Sequence, residues 1–243
     1  MNLMKKNILA AILFLLLNQH AFAQDAKFFD APFGGGGGYT PAWYIPNLDQ
    51  LNEKLVLNNI PEFSGSGFYT SGGAGFIYIG FVKNMRLGGY GYSGSTSQSA
   101  FDGGFNKEVV YTLGGGALTV EYTLPIVKDI GVSIGTAIGA GSLTIDYYKN
   151  VGSEDWNSIW SGTSTTGSEY KNMKNNFWFV SPTINIDFPV YRFFVFRVGA
   201  GYQLTFGDSW EVDNGRDLVN VPSKLNGNSF FIQTGLFLGF FSF

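Results

Sequence analysis

The stretch "IGVSIGTAIGAGS", Ile130 to Ser142, decides the fold. Ile130, Val132, Ile134, Thr136 and Ile138 alternate with Gly131, Ser133, Gly135, Ala137 and Gly139. A period of two puts the two sets on opposite faces of a β-strand. The large apolar set reads as outward and the small or polar set as inward. "YRFFVFRVGAGYQLTF" repeats the pattern, with Phe194, Phe196, Val198, Ala200, Tyr202, Leu204 and Phe206 opposite Arg197, Gly199, Gly201, Gln203 and Thr205. In "ALTVEYTL", Leu118, Val120, Tyr122 and Leu124 oppose Thr119, Glu121 and Thr123. In "FVSPTINIDF", Val180, Ile184, Ile186 and Phe188 oppose Ser181, Thr183, Asn185 and Asp187.

Eight such segments follow: 33–45, 68–82, 85–98, 108–124, 130–148, 176–188, 191–207 and 229–243. The first three alternate poorly, and their facing stays open. All exceed the roughly 9–11 residues that a tilted membrane strand needs. The joins at Lys83-Asn84, at "PIVKD" and at Pro189-Val190 are short, whereas 46–67, 99–107, 149–175 and 209–228 are long. Strict alternation of short and long joins is expected of an even-stranded barrel with tight periplasmic turns and long external loops.

Composition agrees. Charged residues make up 14 % of the 243-residue chain, well under the roughly 25 % of soluble domains. Aromatics reach 17 %, and glycine contributes 34 residues. Apart from "ILAAILFLLL" near the start, no apolar run approaches the ~20 residues of a membrane helix. That run lies behind Lys5 and Lys6 and before "AFA", the pattern of a cleaved secretory signal over 1–23. Residues 24–243 are then the mature barrel. Gln24 in place of Cys argues against a lipid anchor. Without the two signal lysines, 13 basic residues face 18 acidic ones, which argues against nucleic acid as a partner. The sole histidine, His20, lies within the signal, and cysteine is absent. Disulfides, Cys/His zinc sites and His-dependent nucleophilic triads are excluded from residues 24–243. No cofactor is expected, and the chain reads as a non-enzyme.

"NLDQLNEKLVLN" places Leu48, Leu51 and Leu55 at helical spacing. Asn47 suits an N-cap, with Gln50 three residues on as in a capping box. One short amphipathic helix over 47–58 is expected, packed on the barrel rim, or else plugging its mouth or contacting a ligand. "GGGGGYT", from Gly34, lacks the Lys-Ser/Thr of a phosphate loop. Similar glycine clusters recur in most strands, as at Gly72-Gly73, Gly88-Gly89, Gly114 to Gly116, Gly139 and Gly141. They point to tight curvature or to something close inside the barrel.

The chain ends "GLFLGFFSF". It resembles the final strand of bacterial outer-membrane barrels, with Phe237, Phe241 and Phe243 at alternate sites and Gly235 and Gly239 departing from the pattern. Size and loop pattern resemble the small eight-stranded OmpA/OmpX type. The resemblance implies recognition of this strand by the barrel-assembly machinery. The expectation is an all-β, eight-stranded antiparallel transmembrane barrel, monomeric, in contact with outer-membrane lipids. Aromatic girdles would comprise Phe81, Tyr122, Phe188, Tyr191, Phe194 and Phe243 at the periplasmic interface. Trp43, Tyr44, Tyr69, Tyr147 and Trp178 would form the outer one. Arg86, Glu121, Asp187 and Arg197 fall on lumen faces in the periplasmic half, as a structural ion-pair network or as a filter for small polar solutes. Asp146 falls on an apolar face and is expected above the bilayer or beside a bulge. The leading function is envelope structure or surface contacts through exposed loops. Alternatives are a narrow channel or binder for small solutes or lipids, and a soluble secreted Gly-rich β-protein.

Overall fold

The structure, a computed structural model, describes residues 34–125, 130–153, 155–161, 167–191, 193–207 and 209–241. The expected signal segment 1–23, most of the "PIVKD" turn and Phe243 lie outside them. The strands are β1 (Gly34–Tyr39), β2 (Ala42–Pro46), β3 (Phe68–Tyr78), β4 (Met85–Asp102), β5 (Phe105–Leu124), β6 (Gly131–Asn150), β7 (Glu169–Tyr191), β8 (Phe194–Phe206), β9 (Trp210–Val212), β10 (Arg216–Asp217) and β11 (Ser229–Phe241). Two helices, α1 (Asp49–Leu57) and α2 (Trp156–Ser161), lie in connections.

These strands close an eight-membered antiparallel ring. β1 and β2 are two halves of one barrel strand, interrupted at Thr40-Pro41, and both pair with β3 and β11. Pro41 has no N–H for a ladder, but its carbonyl still accepts from the Thr234 N–H, and the Thr40 N–H donates to Gly72. The ring continues through β4, β5, β6, β7 and β8 to β11. Closure leaves no main-ring edge unpaired, as a barrel in hydrocarbon requires.

The period-two reading of Ile130 to Ser142 carries over. Ile134 and Ile138 point outward, while Ser133 and Ala137 are fully buried. Leu118, Val120, Ile184, Ile186, Phe196, Leu204, Ile232, Leu236 and Leu238 extend this apolar outer surface. The three weakly alternating strands now have a definite facing: Phe68, Thr70, Phe76, Tyr78, Arg86 and Tyr92 turn inward.

The strands run further than expected at one end. β5 and β6 have 20 residues each and β7 has 23. At roughly 3.4 Å per residue and a tilt of about 45°, twenty residues rise about 48 Å, nearly twice the ~25 Å apolar band. Residues 99–107 are therefore not a long loop. β4 and β5 continue to a two-residue turn at Gly103-Gly104, where φ is +60° and +85°. Long and short joins thus do not alternate strictly. β7 begins at Glu169 instead of 176, and its upper part pairs with β9 after β8 has ended. Asp146 sits on an uninterrupted stretch of the β6–β7 ladder, so no bulge accompanies it. It accepts from the Tyr170 hydroxyl and the Asn172 amide, level with that upper part of β7.

The capping box does not form. α1 starts at Asp49 with Leu48 as N-cap, and the Asn47 carboxamide oxygen accepts from the Asp49 N–H one step earlier. The glycine clusters fall into two populations. A Cβ at inward Gly139 would lie 2.1 Å from the Gly116 carbonyl oxygen, and at inward Gly201 it would lie 2.5 Å from the Phe231 ring. At outward Gly73 and Gly91 the nearest atom would be 3.5 and 3.7 Å away. The inner glycines answer to tight curvature and to rings packed in the lumen.

Candidate functional site

The lumen is filled in layers. At the periplasmic end, Phe76, Phe237 and Phe241 form a buried aromatic floor. Register makes Arg86 the cross-strand partner of Glu121, and Asp187 that of Arg197. These two pairs stand on opposite walls and meet across the barrel. Arg86 contacts Asp187 at 2.5 Å and Glu121 at 2.8 Å. Arg197 contacts Asp187 at 2.6 Å and Glu121 at 3.1 Å. Two cations and two carboxylates leave the cluster neutral, the condition under which burial of all four is tolerable. Arg86 also donates to Ser133 at 2.6 Å, and Asn185 donates to Glu121 at 3.2 Å. The guanidinium carbons lie 4.8 Å (Arg86) and 5.1 Å (Arg197) from the Phe76 ring centre, and Arg197 lies 4.9 Å from that of Phe237. The floor thus contributes cation–π contacts as well as apolar packing.

Above the charges lies a cavity of about 30 Å³, lined by Tyr90, Thr119, Glu121, Thr183, Arg197 and Gln233 among others. It has room for about two water molecules. Next comes a stack of rings. Tyr44 lies between Tyr92 at 4.7 Å and Phe231 at 5.0 Å, nearly parallel to both. The Tyr92 hydroxyl donates to Gln203 at 2.5 Å, and the Gln203 amide donates to Gly227 at 2.9 Å. Higher still, Tyr111, Leu113, Leu143 and Ile145 form an apolar collar. Leu48, Leu51 and Leu55 of α1 pack into it, so the helix closes the mouth from within.

Several contacts hold α1 there. Asn52 exchanges two hydrogen bonds with the Phe63 backbone, at 2.8 and 3.1 Å. The β4–β5 tip supplies Lys107, which donates to the Asn58 carbonyl at 2.9 Å and pairs with Asp102 at 2.6 Å. Asn59 donates to Asp102 at 3.2 Å. The hydrogen bond from Lys107, and then that from Asn59, hold the Asp102 carboxyl below its ordinary pKa.

All four charged residues marked from the sequence thus meet in one cluster. The structure brings in Ser133, Asn185 and the Phe76 floor, which the sequence did not single out. Tyr44 is a correction: it fills the lumen instead of joining an interface girdle. So is Tyr147, which faces the mouth and packs on the collar. At both positions an adjacent aromatic, Trp43 or Tyr148, takes the outward face. Trp43, Tyr69 and Trp178 do lie outward, as do Phe81, Tyr122, Phe188 and Phe194. Phe237 and Phe241 point into the lumen, so the lipid-facing set of the last strand is Leu236, Leu238 and Phe240.

An eight-stranded ring with an apolar exterior, a packed polar and aromatic lumen, and tight turns at one end defines the class: a small β-barrel of the bacterial outer-membrane type. Among similar solved structures is a major outer membrane protein from Thermus thermophilus, at TM-score 0.52 and 8 % identity over 85 % of this chain and 99 % of that one. Ail, the attachment invasion locus protein of Yersinia pestis, solved with the heparin analogue sucrose octasulfate, matches at TM-score 0.42 and 10 % identity, over 86 % and 97 % of the two chains. CarO2 of Acinetobacter baumannii matches at TM-score 0.35 and 13 % identity, over 84 % and 98 %. At these identities the likeness is one of fold. No family model matches the chain, and no curated protein matches it in sequence.

Proposed function

We propose that this protein sits in the outer membrane as a monomeric, non-catalytic barrel, exported by the 1–23 signal. Its external end serves envelope structure or surface contacts. The observation that carries this reading is the layered filling of the lumen. A barrel sealed by a salt-bridge cluster, a ring stack and a helix offers its outside and its loops for work, not a conduit. The absence of cysteine, and of any histidine beyond His20, supports the non-catalytic part, because the usual bases and nucleophiles are missing. The last strand, with Phe237, Phe241 and Phe243, is the element we assign to the assembly machinery. Planar-bilayer recording tests the sealed lumen. Purified, folded protein is expected to give no discrete conductance steps, and reproducible steps would replace this reading with the narrow channel. Recovery of the chain in the periplasmic soluble fraction would instead favour a secreted β-protein.

A further inference from the structure

The mouth is closed by α1, but not packed solid. A cavity of about 100 Å³ lies between the helix and the inner faces of β5, β6 and β7. Leu51, Leu55, Ile60, Val109, Ile145 and Met173 contribute its apolar lining. Lys54, Asn58 and Tyr147 complete it. Lys54 is exposed at its edge and has no ion-pair partner among the described residues. Its neighbour Lys107 is already engaged by Asp102 and the Asn58 carbonyl.

The slot is half open to the outside, so water reaches it, and its apolar lining favours a chain that displaces that water. An apolar slot with one free cation at its edge matches a chain with an anionic head. The size limits the chain. An apolar cavity of ~150 Å³ takes a six-carbon benzene ring, so about 100 Å³ takes about four carbons.

We propose that this cavity binds a short alkyl carboxylate, with about four aliphatic carbons between α1 and the barrel wall and the carboxylate at the Lys54 ammonium. The site goes beyond the sealed-barrel reading and requires only that the mouth be folded. α1 then acts as a receptor element as well as a stopper.

The test follows the methyl resonances of Ile60, Ile145 and Met173 in detergent-solubilised barrel. Sodium propanoate, butanoate, pentanoate and heptanoate are added in turn, with pentylammonium as the charge control. Saturable shifts of these methyls are expected, with affinity rising about fourfold per added methylene up to pentanoate and levelling off at heptanoate. Pentylammonium should bind much more weakly than pentanoate, because the attraction to Lys54 is replaced by repulsion. Lys54→Gln should weaken pentanoate about fivefold, as expected for a solvent-exposed ion pair. Val109→Phe should fill the slot and remove the response, and Leu51→Phe does the same from the helix side if the first variant does not fold.

Four results would overturn the site: no saturable shift in wild-type barrel, equal binding of pentylammonium, affinity still climbing at heptanoate, or undiminished binding in a folded slot-filling variant. A chain that fails to show the heat-dependent gel mobility of a folded barrel would instead fail the reading beneath it.

Discussion

Removing Arg197 tests the lumen cluster most sharply. Arg197→Met keeps most of the side-chain volume and deletes the contacts to Asp187 at 2.6 Å and Glu121 at 3.1 Å. Arg86 is then the only cation against two buried carboxylates. With an effective dielectric constant of about 20, each lost contact near 3 Å has a gross Coulomb energy of about 5 kcal/mol. Desolvation offsets much of that, and the measured cost of stranding a buried charge is about 3–5 kcal/mol. We expect a loss in that range for Arg197→Met. The double variant Arg197→Met/Glu121→Gln leaves Arg86 paired with Asp187, so the remaining cluster is neutral. It should regain more than half of the loss. Urea unfolding in phospholipid vesicles, followed by tryptophan fluorescence and by the mobility of unheated samples, reads both. A single variant within about 1 kcal/mol of wild type would refute the argument, because buried charges cannot be stranded so cheaply. Equal loss in single and double variants would refute it too, since packing and not charge balance would then govern.

Four further outcomes follow from the geometry. Gly139→Ala places a methyl 2.1 Å from a neighbouring carbonyl oxygen and should cost at least about 1–3 kcal/mol in the same assay. Gly91→Ala, with its nearest atom at 3.7 Å, should be neutral or gain a few tenths of a kcal/mol from the unfolded state. The Asp102 carboxyl is held below its ordinary value of 3.8 by Lys107 and Asn59, so its contribution is complete above that pH and is lost as pH falls through the lower folded value. Hydrogen exchange at the Asn59 and Ile60 amides should quicken, relative to the barrel strands, only below about pH 4. Replacing 49–60 with a Gly/Ser linker should expose the collar without opening conductance, because the Tyr44 stack and the charge cluster still fill the barrel beneath; the linker variant in a planar bilayer checks this.

The sequence revealed most of the fold where two faces differ in size or polarity. β5, β6, β7 and β8 carry large outward side chains against small or polar inward ones, and their facing was legible. The first strands lack that contrast, because glycine on both faces leaves nothing to alternate. A one-residue ambiguity flips a side chain between lipid and lumen, which is why Tyr44 reads as outward from the sequence. The top of β4, Ser99 to Asp102, was not legible for a related reason: once a strand rises past the hydrocarbon its outer face need not be apolar, so the sequence past Gln98 reads as a loop. The charged residues were legible as lumen-facing because they interrupt apolar alternation. Their meeting across the barrel was not, since Arg86 and Asp187 are 101 positions apart and only ring closure brings them together. The mouth cavity was invisible for the same reason: its lining comes from a helix and three distant strands.

Cysteine scanning of β5 tests the account most directly, and the chain has no native cysteine to interfere. Single cysteines at Leu118, Thr119, Val120, Glu121 and Tyr122 are spin-labelled in protein folded into bilayers. Relaxation by oxygen, which concentrates in hydrocarbon, is compared with relaxation by a water-soluble nickel chelate. The account predicts a period of two: labels at 118, 120 and 122 reached by oxygen and not by nickel, and labels at 119 and 121 shielded from both. Nickel reaching the even positions, or access that does not alternate, would contradict a membrane-spanning barrel with a filled lumen.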